Sequence, residues 1–406
     1  MKVLYIISNP FYYSLNPVGG SISSGTGVIE SLNKKGFTID ILTDDNLPTV
    51  KTSDSINYIY FNNLLVRRFL FSLKKFVPDF IHRRLSGIFF QLSILFTLPN
   101  ILKKEDYEFI YIRASHYASD ILSFVKRKNL KSILEVNKPL SMQSYNRKLG
   151  FDELKKSDIP QIAKEIKQYE YCTMISVDST LRARWITEYV DSKFEHKILI
   201  NHNGVNEVLF SPVQTNLKSN IVGMASSFRW YNDIDELMRI ILKVVSKRQD
   251  IVFRLFIGDL DKKQEIEARI LSNNLEGSVS LEFEIPLLEM PSKLSQCDIL
   301  VSHFNFHGVW PHNCSIKHLE YMALSRPVVA TKVGEVNFAI RNGHNGLLVE
   351  EGDETSFAEA ILNLLNNKEY AIQLGKNGRD DILAKHTWDR HVDDSLKRLG
   401  LYETDK

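Results

Sequence analysis

The run CSIKHLEYMALSRPVVAT, residues 314–331, places a cation and a carboxylate one helical turn apart. These are Lys317 and Glu320, just ahead of a buried-strand pattern from Pro327 to Thr331. Ser315 has the side chain expected of an N-cap for a helix that starts near Ile316. The first N–H groups of such a helix lack internal partners and carry partial positive charge, which suits a phosphate or diphosphate. Lys317 adds a full charge there. Glu320, on roughly the same face, can accept two hydrogen bonds from a vicinal diol such as a ribose. A helix tip made of Asn313, Cys314, Ser315 and Ile316, with those two side chains, could hold a nucleoside diphosphate. An ordinary surface Lys–Glu pair, contributing only about 0.3–0.5 kcal/mol, fits the same residues, so the larger pattern has to decide.

That pattern is one of buried parallel strands. KVLYII is short, continuous and apolar, as a strand covered on both faces must be. NPVGGSISSGTGVIESLNKKG then offers a Gly-rich turn and a helix closed by Gly36, and FTIDILT is the next strand. INYIYF, FIYIRA, KSILEV and TMISVD continue the alternation, with a charged helix around 153–171. The pattern restarts near 197 with KILIN, followed by HNGVNEVLFSP, IVGMAS, VFRLFIGD, VSLEFEI, DILVSH, PVVAT and GLLVE. Helices are expected near 233–247, 262–273, 288–296, 315–324 and 355–366. The fold class is therefore α/β, with two Rossmann-like doubly wound domains facing across a cleft. The expected domains are 1–195, 196–385 and a closing helix, 386–406, that returns to the first domain. The link at 190–205 would act as hinge.

Bulk composition narrows the function classes. A chain of 406 residues suits two domains. A net charge of +2 excludes a general affinity for polyanions, so no nucleic acid is expected as a partner. Cys172, Cys297 and Cys314 are too scattered for a disulfide framework, and a reducing, cytoplasmic setting fits. No Cys/His cluster has zinc spacing; His303, His307 and His312 share one loop, read as solvated or facing a substrate. The N-terminus reads as a strand rather than a signal peptide, and no run is long and uncharged enough to span a membrane.

Several blocks, in order along most of the chain, resemble the GT-B glycosyltransferases, specifically glycosyltransferase family 4. HNGVNEVLFSP is similar to the family's interdomain segment. EYMALSRPVVATKVGEVNFAIRNGHNGLLVEEGD resembles its most specific block. VGG matches its Gly loop, ILEVNKPL a motif found in some members, and HTWDRHVDDSLKRL the closing helix. The resemblance implies a retaining, metal-independent sugar transfer from a nucleoside diphosphate sugar, with no cofactor. Glu320 then corresponds to the glutamate on the donor ribose. The companion glutamate, eight residues earlier, is replaced by His312, whose imidazole can still make one hydrogen bond to a donor sugar hydroxyl. Where the family carries a lysine before a KG.D turn, this chain has Asn232, and Asp233 replaces the glycine. Arg229 remains nearby and, with Lys317, is expected to neutralise the leaving diphosphate.

Further expectations follow at the ends of other strands. Gly19 and Gly20 permit close backbone approach to the donor, and Ile285, after EFEIP begins, lies where the base would be read by backbone groups. Glu135 and Asn137 end the strand SILEV and face the expected cleft. Asn137 can hydrogen-bond the reacting sugar but cannot act as a base near neutral pH. Arg113 and His116 could bind acceptor or donor; a charge pair with Asp120 is the ordinary alternative. Residues 63–90 hold four arginines, two lysines and one acid, Asp79, among Phe and Leu. Pro78 would divide them into two amphipathic helices that either pack on the first sheet or face an anionic membrane. The reading is thus a glycosyltransferase acting on a glycan or lipid-linked acceptor in cell-surface polysaccharide synthesis, at most peripheral at the inner face of the membrane. A nucleotide-sugar epimerase and a non-catalytic nucleotide-sugar-binding module stay open beside it. A dinucleotide oxidoreductase is disfavoured by the spacing of GGSISSGTG.

Overall fold

The computed structural model describes residues 1–7, 20–43, 50, 53–61, 76–143, 162–213, 217–228, 232–305 and 315–402; of 20–23, 79, 80, 82–84 and 86 it describes the backbone alone. Two compact units result, one from Met1–Pro17, Val28–His202 and His391–Lys406, the other from Val18–Gly27 and Asn203–Arg390.

The first unit is a seven-stranded parallel sheet: β1 (Lys2–Ile7), β2 (Thr38–Thr43), β3 (Ile56–Tyr60), β4 (Phe109–Arg113), β5 (Lys131–Val136), β6 (Met174–Val177) and β7 (Ile198–Ile200), in spatial order β3-β2-β1-β4-β5-β6-β7. All five residues of β4 are buried, as the continuous apolar run requires. The second unit has six parallel strands: β8 (Ile221–Ser226), β9 (Val252–Ile257), β10 (Val279–Phe283), β11 (Ile299–Ser302), β12 (Val328–Thr331) and β13 (Leu347–Val349), in order β10-β9-β8-β11-β12-β13. The two sheets are wound alike. Each reverses strand order once, between β1 and β4 in the first and between β8 and β11 in the second. The crevice beyond the carboxyl ends of such a strand pair is where open α/β sheets accept ligands.

The helices used below are α1 (Gly20–Lys34), α2 (Asp79–Lys104), α3 (Ala118–Arg127), α4 (Ile234–Val245), α5 (Ile316–Ala323), α6 (Lys368–Lys385) and α7 (Trp388–Arg398). Pro78 does not sit between two described helical pieces. It is the N-cap of α2, a helix of 26 residues that runs on through Pro99 to Lys104, consistent with the tolerance of proline at a helix start. Residues 62–75, the first part of that expectation, lie outside the described residues. In α6, unforeseen in the sequence, Gly375 is obligatory: a Cβ there would sit 2.2 Å from the Ser325 carbonyl oxygen.

The HNGV segment earns its glycine by close packing. A Cβ on Gly204 would lie 2.5 Å from the Trp388 nitrogen, because Val205 pairs with Thr387 and donates to His386 O at 2.9 Å. Beyond His391, α7 is fastened to the first unit. Asn201 Nδ2 donates to His391 O and Ser395 Oγ, each at 2.9 Å, and Lys35 pairs with Asp393 at 2.7 Å.

Candidate active site

In the second unit the switch-point strands deliver their ends to the start of α5. Ser315 is its N-cap by position, yet its hydroxyl makes no capping bond. The expected side-chain cap is therefore absent. The helix is oriented from its buried face. Tyr321 accepts from Ala225 N at 2.8 Å on β8, and His318 Nε2 meets Ser302 Oγ at 2.9 Å on β11. Burial, then the neighbouring Lys317 charge, drives the His318 imidazole down to about 3, so it is neutral.

Lys317 and Glu320 point from this helix as the spacing required. Lys317 Nζ lies 3.4 Å from Ser226 Oγ and 4.7 Å from the centre of the Phe304 ring. Among the described residues no carboxylate forms an ion pair with it. Burial pushes its ammonium down to about 8, opposed by the charge of Glu320. Burial likewise pushes the Glu320 carboxyl up to about 7, opposed by Lys317. Both groups are disfavoured in their charged forms, so a ligand that answered them with charge or hydrogen bonds would stabilise them.

Ser226 was not singled out from the sequence, and Asn232 was read there as a missing cation. The structure gives the two one task. Asn232 Nδ2 donates to His303 O at 2.7 Å, so its Oδ1 must accept, and Ser226 Oγ donates to it at 2.7 Å. The serine's single proton is thereby committed, and its lone pairs face Lys317 and the Phe228 N–H, the latter at 3.3 Å. Phe228 is held in the left-handed region with φ 47°, a conformation that buried packing must enforce. Asn232 is thus a buried strut that fixes a hydroxyl as acceptor. The only hint in the sequence is a serine ending a strand six residues before an asparagine.

His303 is likewise corrected. It is not solvated: it is buried, with Nε2 3.2 Å from Glu236 Oε1 on α4. Asn305 donates to the other Glu236 oxygen. Burial raises the Glu236 carboxyl, but His303 and Asn305 outweigh it, and the group is held below its ordinary value. This cluster anchors the chain leaving β11. Arg229, His312, Asn313 and Cys314, like His307, lie outside the described residues. Ile285 is half-buried and packs against the core cluster that includes Leu294 and Tyr321.

The first unit gathers a different set. Parallel register sets Arg113 beside Glu135, with Nη2 3.4 Å from Oε1, and Asn137 Nδ2 donates to the same carboxylate oxygen at 2.6 Å. The expected Asp120 partner is wrong for Arg113: Asp120 instead accepts from Gln91 at 3.4 Å. Asn137 is thus engaged with Glu135 rather than free. His116 is exposed. Gly20 opens α1, and Gly19 lies outside the described residues.

Two doubly wound parallel sheets of this order are the GT-B architecture. Comparison with known proteins agrees. Residues 219–367 match the family described as glycosyl transferases group 1. An uncharacterized glycosyltransferase of Methanocaldococcus jannaschii is 29% identical over 225 residues, 55% of this chain and 59% of that protein. The poly(ribitol-phosphate) alpha-N-acetylglucosaminyltransferase of Staphylococcus aureus is 31% identical over 170 residues, 41% of this chain and 32% of that one. Among solved structures, Anabaena HepE in complex with UDP and glucose superposes with a TM-score of 0.70 at 13% identity, covering 99% of this chain and 100% of that one. Residues 219–367 are thus similar to the group 1 glycosyltransferases, and the chain as a whole has the GT-B fold. It spans 59% and 32% of the lengths of those two curated relatives.

Proposed function

We propose that this protein moves a sugar, with retention, from a nucleoside diphosphate sugar to a glycan or lipid-linked acceptor in cell-surface polysaccharide synthesis, without a metal. One observation carries the reading: a partly desolvated lysine at an uncapped helix start, held by a hydroxyl instead of a carboxylate, with Glu320 one turn away. The diphosphate takes the open N–H groups and Lys317, and the ribose takes Glu320. As the bond from the sugar's anomeric carbon to the phosphate oxygen breaks, negative charge grows on the diphosphate, and Lys317 and Arg229 stabilise it. The acceptor oxygen bonds the same carbon, and its proton passes to the departing phosphate oxygen. No protein base is required, which accommodates Asn137. His312 holds a donor sugar hydroxyl.

Support for a nucleotide donor comes from the HepE neighbour, which holds UDP, and for a polymeric acceptor from the staphylococcal relative, which is named for poly(ribitol-phosphate). Metal independence and retention rest on the family 4 resemblance. The test is a thermal-shift panel of nucleotide sugars, followed by product analysis with the ligand that stabilises. A donor at 100 times its dissociation constant stabilises by about 2.7 kcal/mol. Release of free nucleoside diphosphate only when acceptor is present, in EDTA as well as without it, is the expected result. Release that ignores the acceptor, or tight binding with no turnover by any acceptor fraction, sinks the reading.

A further inference from the structure

Helix α2 is apolar on two opposite faces. One is explained: Phe90, Ile94, Leu98 and Leu102 are buried in the first unit. The other is not. Ile81, Ile88, Leu92, Leu95 and Phe96 lie at helical spacing along the outward side, each between 36% and 70% exposed. From Ile81 to Phe96 this stripe runs about 23 Å along the helix. A helix apolar all round belongs inside a core or in lipid, and a continuous exposed patch marks a surface that something covers.

We propose that this outward stripe of α2 lies on an anionic lipid surface. Charge selects that occupant. Residues 80–104 contain no acid, while Arg83, Arg84, Lys103 and Lys104 stand near the two ends of the stripe. The first acid beyond, Glu105, is taken by Lys2 at 2.8 Å. A second copy docking the same face by two-fold symmetry would set cation against cation at both ends of the helix, in either direction. Anionic headgroups meet those cations, while the leucines and Phe96 enter the acyl boundary. No helix among the described residues is long and apolar enough to cross a membrane. Exposed Phe76, just before the helix, extends the apolar edge. The inference does not depend on the sugar-transfer reading, because lipid contact needs neither donor nor acceptor.

The test is co-sedimentation of the full chain with phosphatidylglycerol–phosphatidylcholine vesicles and with phosphatidylcholine vesicles alone. The parent should pellet with the former and far less with the latter. Leu92→Ser, Leu95→Ser and Phe96→Ser together should lower the partition about tenfold or more, since each removes exposed apolar surface from the stripe. Lys103→Glu with Lys104→Glu should lower it several-fold and flatten its salt dependence. UDP affinity, measured on the same preparations, should stay at the parent's value and reports an intact fold. A parent that ignores anionic vesicles overturns the proposal. So does a serine triple that pellets like the parent, which would move the contact to another surface such as residues 63–75. A lipid-free dimer of the parent that the triple converts to monomer would show a second copy on the stripe, and would also overturn it. Vesicle binding that persists in a protein unable to bind any nucleotide would sink the transfer reading and leave this one standing.

Discussion

At the end of β4, Arg113 lies beside a carboxylate; at the corresponding crevice of the other sheet, between β8 and β11, Lys317 lies beside a hydroxyl. The winding of the two sheets is the same, and both points are where such sheets accept ligands. In the first unit the cation is buried and answered by Glu135, which Asn137 also supports. In the second it is answered by Ser226, a neutral acceptor at 3.4 Å, and its ammonium is driven down to about 8. A cation already paired by its own chain holds structure together. One held by a neutral group still has its charge to give to a ligand.

The largest effect that would break this contrast is in the first unit. Arg113→Ala leaves the buried Glu135 without its cation, and losing one partner of a buried pair costs about 3 kcal/mol or more of stability. Urea unfolding should show that loss while UDP affinity stays within about twofold. A large loss of UDP affinity with little loss of stability would make Arg113 a donor ligand and erase the distinction.

Next is Lys317→Ala, expected to weaken UDP binding about 10- to 100-fold by calorimetry, the worth of a charge-assisted hydrogen bond of roughly 1.5–3 kcal/mol. The lysine also predicts a pH limb. Its ammonium titrates at about 8 without ligand, and the diphosphate requires the charged form. Below that pH the charge is already present. Above it, binding must draw a proton from solvent, so affinity falls by about tenfold per pH unit. Lys317→Arg, which stays charged, should abolish the limb; a limb that survives would assign the titration elsewhere.

Much of this arrangement was legible because buried parallel strands announce themselves as short unbroken apolar runs, as β1, β4 and β12 do. Lys317 and Glu320 could be placed because helical spacing is local. What lay hidden depends on register or on tertiary contact. Arg113 and Glu135 are 22 positions apart and meet only because β4 and β5 pair in one particular register. The glycines of α6 look like helix breakers, yet Gly375 is there to let the helix reach the Ser325 carbonyl. His303 reads as a loop histidine until Glu236, from another helix, is found against it.

Glu320→Gln sharpens the contrast with a smaller effect of two opposite signs. The carboxyl is raised to about 7 in the fold, from an ordinary value of 4.5. Between those values the folded state holds a proton that the unfolded chain has released, so stability from this group is lost as pH rises through 7. The glutamine variant should therefore melt higher than the parent at pH 8, with the gain shrinking towards pH 5. It should bind UDP about three- to tenfold more weakly and inorganic pyrophosphate no differently, since only the ribose loses its acceptor. Equal loss for both ligands would place Glu320 at the phosphates.

The smallest expected effect falls on Asn232, and it decides whether the second unit's cation is positioned or merely nearby. In Asn232→Ala the Ser226 proton loses its acceptor, the hydroxyl is free to rotate, and the His303 carbonyl loses its donor. Lys317 keeps its charge but not its fixed neighbour, so UDP affinity should fall only about three- to tenfold, roughly one neutral hydrogen bond. Stability alone could account for that, and the pH limb separates the cases. Asn232→Asp is close in size, yet it brings a carboxylate within one hydroxyl of Lys317. The anion holds the ammonium protonated to higher pH, so the limb should move above 8 even as UDP binds more weakly. A merely structural asparagine would leave the limb where it is in both variants.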